Sequence, residues 1–239
     1  MKNTIFWDKL RILVTNGCNY RCPFCHNEGQ TSKDRFNVMN LDNFKLLIDY
    51  LKDEEISEIT FSGGEPFLNP NLIEMIKYVS ERTNWEVSCA SNLSLVTKER
   101  IQQLANIPLK FNIQFPFIDA SKFQKSTGSG NLSRVMENIR LVRESGLGVG
   151  LNSVIQSNSK FIFPILREYA VSYSDKGTGA IRWLLEKGNH RTSVLYIDSP
   201  CFSHDIKRCR NYSEIRILPD FSLQPCILRE SETVKLNFT

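Results

Sequence analysis

Along the first 185 residues two hydrophobic periods take turns. Short apolar or alternating runs fall at Leu10–Thr15, Glu58–Ser62, Glu86–Ser91, Leu109–Phe115, Leu147–Ile155 and Ala180–Leu185. Each reads as a strand, and Leu109, Phe111, Ile113 and Phe115 alternate most cleanly. Between the runs lie apolar stripes at helical spacing. Leu41, Phe44, Leu47, Ile48 and Leu51 form one, with Asn40 placed to cap it. Leu72, Ile73, Ile76 and Val79 form another, and Pro70 after Asn69 marks its expected start. Leu132, Val135, Met136, Ile139 and Val142 form a third, with Met136 read as core.

Six strand–helix repeats of roughly 30 residues each predict an α/β fold with a parallel sheet. Six units are too few to close an eight-stranded barrel. The expected architecture is therefore a partial (βα)6 TIM-like barrel, with its chemistry gathered at the C-terminal ends of the strands. Residues 1–190 make up this core. Residues 191–239 change character, with Pro200, Pro219, Pro225 and three cysteines, and read as a small cysteine-bearing cap. Within that tail Glu214–Leu218 reads as a strand, and Asp220-Phe221 as the turn after it.

Composition narrows the class without naming a function. A 41% hydrophobic and 23% charged chain is ordinary for a globular protein, and no apolar run reaches membrane-spanning length. The segment Met1–Leu10 lacks the apolar centre of a signal peptide, so a cytoplasmic setting is expected, with no membrane partner. The net charge of +4 is spread without a dense basic block, which argues against a nucleic-acid partner. It suits an anionic substrate or an acidic electron donor of the flavodoxin or ferredoxin kind.

Cysteine placement changes the picture most. Of seven cysteines, Cys18, Cys22 and Cys25 share one loop, Cys201, Cys209 and Cys226 fall in the tail, and Cys89 stands alone in a strand. In a reducing compartment such clusters read as metal ligands before disulfides. The first group is a Cys-x3-Cys-x2-Cys loop directly after the first strand. Three thiolates there can hold three irons of a cubane cluster and leave the fourth open. A structural zinc site wants four closed ligands, and His26 is the nearest candidate for the fourth, adjacent in backbone to Cys25. On the loop alone both metals stand, with the cluster favoured.

Ser62-Gly63-Gly64-Glu65-Pro66 follows the second strand. Two glycines let backbone groups approach a ligand, and Glu65 offers a carboxylate to an ammonium group. Ser91 and Asn92 end the third strand, Gln114 the fourth, and Asn152 lies on the fifth. Their polar side chains suit a ribose or carboxylate.

The cysteine loop, with Phe24 before its last cysteine, and the Gly-Gly-Glu-Pro turn together resemble the radical S-adenosylmethionine superfamily. The resemblance implies an iron–sulfur enzyme whose [4Fe-4S] cluster, held by Cys18, Cys22 and Cys25, is chelated by S-adenosylmethionine. Gly63, Gly64 and Glu65 would hold the amine, and a 5′-deoxyadenosyl radical would take hydrogen from a small-molecule or peptide substrate. Leu10-Arg11-Ile12-Leu13-Val14-Thr15 and His26-Asn27-Glu28-Gly29 are similar to the molybdenum-cofactor GTP 3′,8-cyclases, as are Thr127-Gly128 and Ile181-Arg182-Trp183. That likeness covers most of residues 8–185. It implies that Arg11, Trp183 and Arg216 border the substrate, with a structural role for Arg11 the alternative.

The tail resembles the shortened auxiliary-cluster module called a twitch domain. Cys201, Cys209 and Cys226 are its candidate ligands for a second iron–sulfur cluster, although Tyr212 stands where the module has a cysteine. Disulfides or idle thiols are the alternatives. Thr60, Asn69, Gly150, Gln114 and Pro116 also depart from the cyclase pattern, several of them at phosphate-facing cations, which argues against a triphosphate substrate. Phe61–Leu68 is also similar to viperin-like nucleotide dehydratases, which lack the cysteine-bearing tail. A non-catalytic metal-binding module is the reading from another class.

Overall fold

The computed structural model describes residues 8–22, 25, 36–116, 118–155, 181–186, 194–196, 214–225 and 232–236. Each expected strand forms: β1 (Lys9–Leu13), β2 (Glu58–Ser62), β3 (Glu86–Ser91), β4 (Leu109–Gln114), β5 (Gly148–Ile155) and β6 (Ile181–Glu186). They pair in chain order, all parallel. β7 (Val194–Tyr196) adds antiparallel to β6. On the other side β8 (Glu214–Ile217) lies parallel to β1, followed by β9 (Ser222–Gln224) and β10 (Val234–Lys235). The order β10-β9-β8-β1-β2-β3-β4-β5-β6-β7 leaves both edges apart, so the sheet is an open, partial barrel.

The strand read in the tail is thus a strand of the main sheet. Its alternation explains why: Ile215 and Ile217 are buried, while Glu214 and Arg216 register with Lys9 and Arg11 on the opposite face. The turn at Asp220-Phe221 forms as expected. Phe221 takes φ +63° and Asp220 accepts from the Ser222 N–H.

Helices α1 (Leu41–Leu51), α2 (Leu72–Arg82), α3 (Lys98–Gln102), α4 (Ala120–Thr127) and α5 (Leu132–Glu144) follow the strands. Asn40 caps α1 by accepting from the Asn43 N–H at 3.0 Å. The helical stripes meet Ile12, Ile59, Phe61, Val87, Cys89, Phe111 and Ile113 in one core, with Met136 packed at its margin. Each fully buried Phe or Ile there contributes about 1.5–3 kcal/mol, which makes this layer the main source of stability. Helices α3 and α4 escape the periodicity because they are short. The apolar side chains they bury are Ile101 in α3 and Phe123 in α4.

Helix α2 begins at Leu72 and not at Pro70. A 3-10 turn at Pro66–Leu68 comes first, and Asn69 closes it. Asn69 is 2% exposed, and its Nδ2 donates to the carbonyls of Val14 at 3.0 Å and Met39 at 3.4 Å. It ties the end of β1 to the entry of α1. Asn69→Leu removes both bonds, leaving the Val14 carbonyl with only the Met39 N–H at 2.9 Å, and is expected to cost about 1–3 kcal/mol in urea unfolding. Wild-type stability in that variant would contradict this role.

The face of the sheet away from the helices is polar. By register Lys9, Glu58, Glu86 and Glu214 share one level. Arg11, Thr60, Ser88, Lys110, Gly148 and Arg216 share the next. Asn112 and Gly150 pair one level higher, and Gln114 and Asn152 end the ladder. A closed barrel fills this space with branched side chains. Here it is lined with groups that suit a polar ligand.

Candidate active site

Two loops meet where β1 and β2 end. Gly63 takes φ +124°, a region that L side chains rarely enter, and a Cβ there would lie 2.2 Å from the Thr15 carbonyl oxygen. The missing side chain lets the turn press against the chain leading to the cysteines. Gly64 N–H donates to Thr15 O at 3.0 Å, and Glu65 N–H to Gly17 O at 2.8 Å. Gly63→Ala is therefore expected to cost about 1–3 kcal/mol from backbone strain alone and to move the turn. The check is urea unfolding; unchanged stability would contradict the close approach.

Glu65 is fully buried. Its Oε1 accepts from Ser91 Oγ at 2.8 Å and Phe67 N at 3.1 Å, and its Oε2 from Asn92 N at 2.8 Å. Burial pushes its pKa up to about 6 against these three hydrogen bonds and the nearby Arg100 charge. A cation brought beside it would favour the ionised form. Glu65 thereby joins the β2 turn to the end of β3.

Asn92 carries the link on to the cysteine loop. Its Nδ2 donates to Asn19 Oδ1 at 3.0 Å, and Asn19 Nδ2 donates to Ser94 Oγ at 2.7 Å. Leu93 holds φ +56°, unusual for a branched residue, and its carbonyl accepts from the buried Asn138 Nδ2 at 2.7 Å. From the other side Arg21 N–H donates to Thr127 O at 2.8 Å, and Ser129 Oγ donates to Asn19 O at 3.0 Å. Gly128, with φ +82°, ends α4 and passes close to Arg21.

The cysteines sit inside this strapping. Cys18, Cys22 and Cys25 are half-buried and in no disulfide, and the Tyr20 N–H donates to Cys18 Sγ at 3.4 Å. Burial pushes the Cys18 thiol up to about 11 and the Cys22 thiol to about 12, and each senses the charge of Cys25. Loading a metal must therefore displace protons that burial holds on. Among the described residues no three His, Cys, Asp or Glu side chains converge on a single-ion site. Phe24, His26 and the tail ligands Cys201, Cys209 and Cys226 lie outside the described residues.

Sequence reasoning groups Cys18, Cys22, Cys25, Gly63, Gly64, Glu65, Ser91 and Asn92 as one site; the structure sets Gly64 and Glu65 against Thr15 and Gly17 at the entry to the cysteine loop, and Glu65 against Ser91 and Asn92. Gln114 and Asn152 stand side by side at the ends of β4 and β5. Gln114 Nε2 is buried and lacks a hydrogen-bond partner among the described residues. Arg11 and Arg216 register together lower on the inner face, and Trp183 lies in β6. Unforeseen were Thr15, Asn19, Thr127 and Asn138, whose roles run through backbone carbonyls or long-range amides. Of these only Thr127-Gly128 carried a local signal, a glycine at a helix C-terminus.

A match to the family model for the radical SAM superfamily spans residues 12–158. The chain belongs to that superfamily. Its cofactors are accordingly a [4Fe-4S] cluster and S-adenosylmethionine, and the chain is an enzyme. Curated relatives include a probable GTP 3′,8-cyclase of Sulfolobus acidocaldarius, 33% identical over 172 residues, covering 71% of this chain and 54% of that protein. A probable GTP 3′,8-cyclase of Methanococcus maripaludis is 23% identical over 263 residues, covering 94% of this chain and 86% of that one. The chain spans about half the length of the first of these relatives. In fold the radical SAM chain is similar to Streptococcus suis SuiB, solved with S-adenosylmethionine and with the precursor peptide SuiA. The TM-score is 0.74 in both forms, at 16% and 14% identity, covering 98% of this chain and 63% and 62% of SuiB. No helix among the described residues is long and apolar enough to cross a membrane.

Proposed function

We propose that this radical SAM enzyme takes a hydrogen atom from a polar organic substrate seated against the inner face of its sheet. The observation that carries the reading is the locked pair of loops, in which Gly63 packs on Thr15 and Glu65 reaches from the β2 turn to Ser91 and Asn92. The donor set fits the cofactors: three thiols on one loop with a backbone N–H on sulfur, beside a glycine turn that a Cβ would fill.

Cys18, Cys22 and Cys25 would hold three irons of the cluster. Gly63 and Gly64 would offer backbone carbonyls to the amine of S-adenosylmethionine, with the Glu65 carboxylate as the negative charge beneath it. Phe24 would pack against the same cofactor, and Gln114 and Asn152 would meet its polar groups. Ser91 and Asn92 act by fixing Glu65. Bound together, the two cofactors supply an electron and a 5′-deoxyadenosyl radical. The protein's own part is to orient the substrate and to keep water from the radical. Arg11, Trp183 and Arg216 would border the substrate. Cys201, Cys209 and Cys226 would form the ligand set of a second iron–sulfur cluster in a twitch-like module within residues 191–239. A flavodoxin- or ferredoxin-type donor in the cytoplasm would supply the electron.

Peptide and nucleotide substrates are the two specific readings. SuiB, of like fold, is solved with a peptide, and curated relatives are named GTP 3′,8-cyclases. Deuterium transfer separates them. Reduced enzyme with S-adenosylmethionine is offered a deuterated precursor peptide or deuterated GTP, and mass spectrometry follows label into 5′-deoxyadenosine. Label is expected from a peptide and not from GTP; the reverse would restore the cyclase reading, and no 5′-deoxyadenosine at all would remove the radical one.

A further inference from the structure

The inner face carries a charge cluster that the cofactor site does not use. Arg11 and Arg216 register opposite each other on adjacent parallel strands, and Arg216 is 5% exposed. Two guanidinium groups facing one chamber would ordinarily mark an anion site. Here both meet one carboxylate. Arg11 Nε donates to Glu214 Oε1 at 2.8 Å, and Arg216 Nη1 lies 3.7 Å from the same oxygen. Arg11 Nη1 also donates to Ser62 Oγ at 3.2 Å, so the cluster borders the residue that opens the Gly-Gly turn.

Glu214 stands where a phosphate or substrate carboxylate would bind the two arginines. The level below continues the balance: Lys9 Nζ lies 3.1 Å from Glu58 Oε2, and Glu86 registers beside Glu58. Counting both levels, Lys9, Arg11, Lys110 and Arg216 face Glu58, Glu86 and Glu214, nearly cancelling. The opposite wall is short of side chains, with Gly148 and Gly150 on β5 and Ala90 on β3. Above it stand the amides Asn112, Gln114 and Asn152, and the buried Gln114 Nε2 has no partner among the described residues. Gly148, Gly150 and Ala90 leave width for a peptide backbone beside the amides that would meet the cofactor.

We propose that Glu214 determines substrate class. By lying between Arg11 and Arg216 it offsets their positive charge, so the chamber favours an uncharged, polar substrate of the peptide kind over a nucleoside triphosphate. This deepens the reading of the inner face as the substrate chamber and rests on it.

Calorimetric titration of GTP and of inorganic tripolyphosphate into the reconstituted chain tests the assignment. Wild type is compared with Glu214→Gln and with Glu214→Gln/Arg216→Gln. Removing the bridging charge is expected to tighten both ligands by at least about tenfold, with the gain shrinking as salt rises and lost in the double variant. Equal affinity of wild type and a natively folded Glu214→Gln would overturn the proposal, as would micromolar GTP binding by wild type. Should Glu214→Gln fail to fold, Arg216→Gln alone decides. A masked arginine predicts no loss of triphosphate affinity, and a tenfold loss contradicts it. Release of 5′-deoxyadenosine by the same samples reports separately on the radical chemistry, so a silent enzyme and an unmasked anion site remain distinguishable.

Discussion

Cys22→Ala is expected to lose about four irons per chain after anaerobic reconstitution and to release no 5′-deoxyadenosine. Cys22 is half-buried at the edge of the core, and Cys25 N–H donates to its carbonyl at 3.1 Å, a bond that alanine keeps. The loop's straps run through Asn19, Arg21 and Gly17, and the Tyr20 N–H bond falls on Cys18 Sγ. Losing the sulfur therefore removes a metal ligand while leaving the loop in place. The metal-free variant should unfold within about 0.5–1 kcal/mol of wild type, the range for a half-buried truncation. Cys18→Ala and Cys25→Ala should behave alike. Full iron content in any of the three would refute the ligand assignment. A zinc module would lose zinc and show no iron to lose. Iron lost from Cys201, Cys209 or Cys226 variants, with 5′-deoxyadenosine still formed, would mark the second cluster as separate.

Glu65→Ala is expected to be the most damaging substitution in the site that removes no metal ligand. It takes the acceptor from the Ser91 hydroxyl proton and from the N–H groups of Phe67 and Asn92, all buried, at a combined cost of at least about 3 kcal/mol, while Ser91 Oγ still accepts from Leu93 N–H. Glu65→Gln divides charge from shape. Its oxygen can still accept from Ser91 and Phe67, but its NH2 meets the Asn92 N–H as donor against donor. The expected cost is about 1–3 kcal/mol, with affinity for S-adenosylmethionine reduced in step because the negative charge is gone. Urea unfolding and calorimetric titration of the cofactor check both effects. Wild-type stability and affinity in Glu65→Gln would show that neither the charge nor the Asn92 bond matters.

The parallel sheet and its helices were legible because hydrophobic periods survive in any chain that must bury one face. Alternation at Leu109, Phe111, Ile113 and Phe115 marked β4 as a strand with one buried face, whereas Glu214–Leu218 read as a strand of the cap and only the fold pairs it with β1. The two motifs were legible because a metal loop and a glycine turn are local. What escaped was carried by groups with no local pattern. Asn69 reads as the residue before a helix, and only the fold brings it against Val14 and Met39. Glu214 lies 203 residues from Arg11, and nothing in either neighbourhood predicts their bond. Glu65 was anticipated as a ligand for an ammonium group, while its three hydrogen bonds to β3 and the turn arise from tertiary placement. The site is thus one constellation of ligands, which sequence shows, held by a scaffold of carbonyls and amides, which it does not.

The most direct test is a single anaerobic assay of the reconstituted chain with dithionite and S-adenosylmethionine, counting iron and 5′-deoxyadenosine. At least about four irons per chain and reductant-dependent 5′-deoxyadenosine are expected, with about four irons and all of the 5′-deoxyadenosine lost in Cys22→Ala. A wild-type chain that holds the full iron complement and leaves S-adenosylmethionine intact would contradict the assignment of Cys18, Cys22, Cys25 and the Gly63–Glu65 turn as one cofactor site.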